Sequence, residues 1–148
     1  MKREKTVLFL CTGNYYRSRF AEELFNHRVV DAGVTFAAQS RGLAVERGTF
    51  NVGPLSPFAR QGLGERGVTL LGGDRLPQQC SLVDLEAAHH VVALDETEHR
   101  PLMRERFPYW ENGVEYWQVA DVELTSPKLA LAEIEQQVDA LLTKLFAG

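Results

Sequence analysis

Apolar positions fall into a few short runs separated by polar, glycine-containing stretches. Thr6 to Leu10, TVLFL, is β-rich and apolar throughout, as in a parallel strand buried on both faces. A polar loop, Cys11 to Ser18, follows it. From Ser18 to Val30 the residues Phe20, Ala21, Leu24, Phe25 and Val29 recur at helical spacing. Val34 to Ser40 reads as a second strand. Gly42 to Pro57 is rich in Gly, Pro, Ser and Asn and reads as a long loop. Phe58 to Glu65 predicts a short helix stopped near Gly67, and Val68 to Leu71 a short extended piece. Residues 72–81, GGDRLPQQCS, form another loop, and Leu82 to Ala88 a short helix. His90 to Leu94, HVVAL, is a buried strand. Residues 95–107, DETEHRPLMRERF, follow as a helix with Pro101 in its first turns. Glu115 to Val119 is the last strand. Leu129 to Phe146 is an amphipathic helix with Leu131, Ile134, Val138, Leu141, Leu142 and Leu145 on one face.

Strands that alternate with helices imply an α/β fold, here an open parallel sheet of about four strands flanked by helices. One domain over residues 1–148 is expected. Such sheets bind ligands at the carboxyl ends of their strands. Cys11, Asp95 and Asp121 each closely follow a strand, so Cys11 and Asp121 are expected on one rim.

Bulk properties narrow the function class. Hydrophobic residues make up 45% and charged residues 24%, the profile of a soluble globular protein. A net charge of −4 lacks the basic footprint of a nucleic-acid binder. Two cysteines, Cys11 and Cys80, are too few for a disulfide framework and fit a reducing compartment. The N-terminal MKREK is basic, but the apolar run behind it is too short for a signal peptide. No stretch is long enough to span a bilayer. A cytoplasmic protein without a membrane or nucleic-acid partner is expected.

The informative stretch is CTGNYYRS, Cys11 to Ser18. A loop between a strand and a helix N-terminus offers unpaired N–H groups and the positive end of a dipole. Gly13 and Asn14 are the residues best able to adopt left-handed dihedrals, which lets successive N–H groups converge into a nest. Arg17 offers two parallel donors to a phosphate-like group. Cys11 sits at the base, where that positive environment favours the nucleophilic thiolate, and Ser18 is placed to donate to its sulfur. The Gly-Lys-Ser/Thr triplet of an ATP-binding P-loop is missing, as are the three spaced glycines of a Rossmann fingerprint.

C-x5-R-S directly after a first strand resembles the low-molecular-weight protein tyrosine phosphatases. It also resembles their relatives, the thioredoxin-linked arsenate reductases and bacterial protein arginine phosphatases. The likeness covers nearly the whole chain. FNVG (50–53) resembles the substrate-side loop, Ser40 in QSRG the serine ending the second strand, HHVVALDE the strand leading to Met-Asp-Glu, and YWQVADV the strand before Asp-Pro. The resemblance implies a cysteine-dependent phosphomonoesterase with Cys11 as nucleophile and Arg17 and the loop N–H groups holding the transferring phosphoryl. Asp121 is implied as general acid and then base. It further implies phosphate contacts from Thr12, Gly13, Asn14, Tyr15, Tyr16, Arg17 and Ser18. Asn14, Ser18 and Ser40 would brace the loop, and Tyr15, Phe50 and Asn51 would face the substrate. No metal or organic cofactor is implied. The expected partners are a phosphorylated protein or small phosphomonoester, with phosphate or sulfate in the loop, and a monomer is favoured.

Several positions depart from the family pattern. Tyr16 replaces the second loop cysteine, so Cys11 has no adjacent thiol to protect it by a disulfide. Arg19 replaces the proline after Arg-Ser. The acid's Asp-Pro is Asp121-Val122, and VELTSP replaces the tyrosines that often follow. Tyr15 is neither the threonine that goes with arginine phosphatases nor the aliphatic residue of tyrosine phosphatases. No cysteine follows the VVAL strand, which excludes the three-thiol relay of arsenate reduction. The first expectation is therefore a phosphotyrosine phosphatase. The alternatives are a shifted substrate, phosphoarginine or a small aryl phosphate, and a phosphate-binding module with little turnover. Elsewhere, Asp95 reads as a helix N-cap, Cys80 as inert, and Trp110 and Trp117 as packing residues. The four histidines lack metal-ligand spacing. REKTV and RPLMRERF read as solvated basic patches, with steering of an acidic phosphopeptide as their second use.

Overall fold

The computed structural model describes residues 5–32 and 35–147. Val34, where the second strand was expected to begin, and the basic residues 1–4 lie outside them. The elements run β1 (Lys5–Cys11), α1 (Arg17–Ala32), β2 (Phe36–Gly42), α2 (Pro57–Glu65), α3 (Leu82–Ala87), β3 (His90–Ala93), α4 (Glu96–Arg106), β4 (Glu115–Tyr116) and α5 (Pro127–Ala147). The sheet order is β2-β1-β3-β4 and all its pairs are parallel. β1 is central, which accounts for its unbroken apolar run. Val7 and Phe9 pack on the side covered by α1, α2 and α5, while Leu8 and Leu10 pack towards Leu85, Leu102 and Met103 of α3 and α4. Phe9 is fully buried between Phe25 and Trp117, at ring-centroid distances of 5.9 and 5.7 Å.

Local chemistry sets the helix boundaries. Ser56 caps α2, with Pro57 in the first turn, and Gly67 takes a φ of +71° just beyond the helix end. Ser81 and Asp84 form a capping box on α3. Asp95 caps α4 by accepting from the Glu98 N–H at 3.2 Å, as its place before ETEH predicts.

Val68 to Leu71, expected as a short extended piece, joins no strand of the sheet. The Val68 N–H returns to the Leu63 carbonyl, and the Leu71 and Gly72 N–H groups are held by the Glu23 carboxylate. The last strand is only Glu115–Tyr116. Trp117 and Val119 still donate to the carbonyls of Ala93 and Leu94, but Gln118 bridges back to Asp95 and the chain peels off towards the end of β1. The basic stretch of α4 is not a free patch. Arg100 and Arg104 pair with Glu111, and Arg106 with Glu46. Among the described residues no helix is long and apolar enough to cross a membrane.

Candidate active site

The Cys11–Ser18 loop joins β1 to α1 on the rim where β1, β2 and β3 end. The end of β2 pins its first carbonyls: Leu43 donates to Cys11 O at 2.8 Å and Ala44 to Thr12 O at 2.9 Å. The backbone N–H groups of Gly13 to Ser18 donate to no backbone carbonyl among the described residues. They remain available to an anion. Asn14 has a φ of +52°, the one non-glycine residue with positive φ among those described. Gly42 makes room for this backbone. A Cβ there would stand 2.8 Å from Thr12 O and 2.5 Å from Val45 Cγ2.

A buried polar network surrounds the sulfur. Asn14 is fully buried, and its Oδ1 accepts from the Gln78 N–H and from Arg75 Nη1, both at 3.1 Å. Those two donors fix the amide orientation, so Nδ2 donates to Ser18 Oγ and Ser40 Oγ, both at 2.9 Å. Ser18 Oγ, which accepts from Asn14, stands in hydrogen-bond contact with Cys11 Sγ at 2.9 Å. Ser40 also receives Arg75 Nη2 at 2.9 Å and donates to Glu22. Arg75 is a member that the sequence reading missed. Arg19, where the family pattern has proline, is fully buried and pairs with Glu22, Glu23 and the Gly72 carbonyl. It ties α1 to the loop that carries Arg75 and Gln78.

Arg17 is 2% exposed. Its Nη1 donates to Val119 O at 2.9 Å and its Nη2 to Glu98 Oε2 at 2.7 Å, with Asp121 Oδ2 3.7 Å away. Burial acts to lower its pKa. The Glu98 hydrogen bond and the charges of Cys11, Glu98 and Asp121 outweigh burial and raise it. Glu98 was also missed, because a glutamate in the first turn of a helix ordinarily complements the dipole. Thr12 points its hydroxyl to Glu98.

A cavity of about 250 Å³ opens on the loop, walled by Cys11, Tyr15, Arg17, Phe58, Asp121 and Glu123 among others. Asp121 thus faces the same cavity as Cys11. Its Oδ1 accepts from the Val122 N–H at 2.8 Å, and its carbonyl receives Leu124 and Thr125. That turn shapes the loop that elsewhere begins with Asp-Pro. Tyr15 hydrogen-bonds through its hydroxyl to Val52 O at 2.6 Å, closing one wall against the 50–53 segment. Asn51 lines the cavity and packs against Gly13, whereas Phe50 stands 95% exposed outside it. Tyr16 also lines the cavity, edge-on to Phe58, but its hydroxyl is buried without a partner among the described residues, and burial pushes its pKa up to about 12. No group of three or more His, Cys, Asp and Glu side chains among the described residues is arranged to hold a metal ion.

Residues 6–147 match the low molecular weight phosphotyrosine protein phosphatase family. No curated protein sequence matches the chain significantly. Among solved structures, a low molecular weight protein tyrosine phosphatase from T. tengcongensis superposes with a TM-score of 0.77 at 24% identity, covering 95% of this chain and 99% of that one. Vibrio vulnificus Wzb, in complex with benzylphosphonate, gives 0.79 at 17% identity over 95% and 98%. The YwlE arginine phosphatase from Geobacillus stearothermophilus gives 0.75 at 24% over 97% and 94%. These likenesses carry the fold, and the family match carries the activity. The chain belongs to the low molecular weight phosphotyrosine protein phosphatase family, cysteine-dependent enzymes that hydrolyse phosphomonoesters.

Proposed function

We propose that this chain is a protein tyrosine phosphatase that works through a cysteinyl-phosphate, with Cys11 as nucleophile, Arg17 as phosphoryl clamp and Asp121 as general acid and base. The observation that carries the reading is that Cys11, Arg17 and Asp121 line one cavity, with Cys11 Sγ 2.9 Å from Ser18 Oγ at the base of a loop whose N–H groups donate to no backbone carbonyl among the described residues. The thiolate is the form that attacks phosphorus. The Cys11 thiolate displaces the ester oxygen in line, forming the S–P bond as the P–O bond breaks. Protonated Asp121 passes its proton to the departing oxygen. The resulting carboxylate takes a proton from water, the water oxygen attacks phosphorus, and the S–P bond breaks to return the thiolate and release phosphate. Arg17 and the N–H groups of Gly13 to Ser18 hold the equatorial oxygens, where transition-state charge lies.

Tyrosine is the preferred ester because the walls are aromatic: Tyr15, Tyr16 and Phe58 surround the approach to Cys11, with Pro57 beside them. An aryl ring buries well there. Hydrolysis of a phosphotyrosine peptide and of phosphoarginine, compared under one set of conditions, tests the assignment. The reading expects kcat/KM to favour phosphotyrosine by about tenfold or more. A preference for phosphoarginine would overturn it.

A further inference from the structure

Two donors from opposite ends of the phosphate loop converge on one oxygen of Glu98, a residue outside the loop motif. Thr12 reaches it from the start of the phosphate loop and Arg17 Nη2 from the end, at 2.7 Å. His99 Nε2 stands 3.1 Å away. His99 is fully buried, and its Nδ1 accepts the Asp95 N–H at 3.0 Å. The neutral ring therefore carries its proton on Nε2, facing Glu98. Burial would raise the Glu98 pKa, but the nearby His99 Nε2 and the hydrogen bond and charge of Arg17 outweigh it and hold the carboxyl well below the usual carboxylate range.

Arg17 consequently meets one carboxylate in contact and a second, Asp121, at 3.7 Å before any substrate arrives. A phosphoryl dianion bound in the loop adds two more negative charges beside the same guanidinium. The bonds to Val119 O and Glu98 take up one hydrogen on each terminal nitrogen. The Nε–H and the remaining hydrogens are left for phosphate oxygens.

We propose that Glu98 is a positioning residue that sets both the orientation and the effective charge of Arg17, fixing the guanidinium and weakening the hold on free phosphate so that product leaves. The inference rests on the phosphatase reading above. Its physical basis is that affinity spent equally on ground state and transition state does not speed the reaction. A buried arginine with its full charge would hold the product dianion.

Two variants separate charge from anchorage. Glu98→Gln keeps an acceptor for Arg17 but removes the negative charge. Glu98→Ala removes both. Inorganic phosphate is titrated into each purified protein by calorimetry, and p-nitrophenyl phosphate kinetics are measured on the same preparations. Removing a charge a few ångströms from a bound dianion strengthens its binding even at a high effective dielectric. The Gln variant is expected to bind phosphate about tenfold more tightly, with KM falling in step. The Ala variant is expected to lose that gain and to show kcat at least roughly tenfold below the Gln variant, because Arg17 is no longer fixed. A purely structural role would weaken phosphate binding and lower kcat in both. Unchanged or weaker phosphate binding by the Gln variant overturns the charge role, and equal kcat in the two variants overturns the positioning role. Tighter phosphate binding by the Gln variant without turnover in any of the proteins supports the charge role alone and sinks both the positioning role and the phosphatase reading.

Discussion

Asn14 is where backbone conformation and the polar network meet, and replacing it separates the two. Its φ of +52° costs an ordinary side chain about 1–2 kcal/mol, and glycine almost nothing. Its amide makes four hydrogen bonds, to Ser18, Ser40, Arg75 and the Gln78 N–H, all from a fully buried position. Net contributions of about 0.5–1.5 kcal/mol each, with a further cost for stranding the Gln78 N–H, make Asn14→Gly destabilising by about 3–5 kcal/mol. Asn14→Ala is expected to cost about 1 kcal/mol more, the share of the dihedral. Equilibrium urea unfolding of the three proteins measures both steps, and against a total stability of about 5–15 kcal/mol both are readily seen. Activity falls in both variants, because Ser18, which contacts Cys11 Sγ, loses its Asn14 donor. Equal stability of the Gly and Ala variants would refute the dihedral argument. Two variants within about 1 kcal/mol of the parent would refute the network argument.

Further expectations follow from other sites. Burial pushes the Cys80 thiol up to about 12, so iodoacetamide at neutral pH should modify the native protein at Cys11 alone and both cysteines after unfolding, read by peptide mass spectrometry. Native labelling of Cys80 would contradict this. Glu115 is held at about 2, first by its hydrogen bond to His90 and then by Trp117 and Lys144, against the pull of burial. A depressed folded-state pKa stabilises above the unfolded value of about 4.3 and is lost as pH falls towards 2, so Glu115→Gln should flatten the acid limb of the stability profile. The effect is modest because the side chain is partly solvated. Gly42→Ala forces a Cβ against Thr12 O, Asn14 N and Val45 Cγ2, and should cut phosphatase activity by about tenfold or more while the remaining fold persists.

What the sequence revealed, and what it concealed, follows from the range of the interactions. Cys11, Gly13, Asn14, Arg17 and Ser18 lie within eight consecutive residues, so local pattern suffices to group them. β1 and β3 were legible because central parallel strands are apolar on both faces. Val68–Leu71 stays outside the sheet because Val68 and Leu70 pack on the core beside α2 while Leu71 is exposed. Residues 117–119 look like strand, yet only Trp117 and Val119 keep bonds to Ala93 and Leu94, and Gln118 forms an isolated bridge to Asp95. Arg75 and Glu98 were invisible because they reach the loop from 61 and 81 residues away, and neither residue type in its local setting signals that contact. Of the carboxylates that pair with the α4 cations, Glu96 lies in the same helix, whereas Glu46 and Glu111 lie outside it and carry no local signal of the contact.

The central claim is that Cys11 and Asp121 divide the chemistry across one cavity. The most direct test is hydrolysis of p-nitrophenyl phosphate between about pH 4.5 and 8 by the reduced protein, by Cys11→Ser and by Asp121→Asn. The account predicts turnover by the parent, none by Cys11→Ser, and a loss of roughly a hundredfold or more for Asp121→Asn. An active Cys11→Ser variant, or an Asp121→Asn variant as fast as the parent across that range, would contradict it.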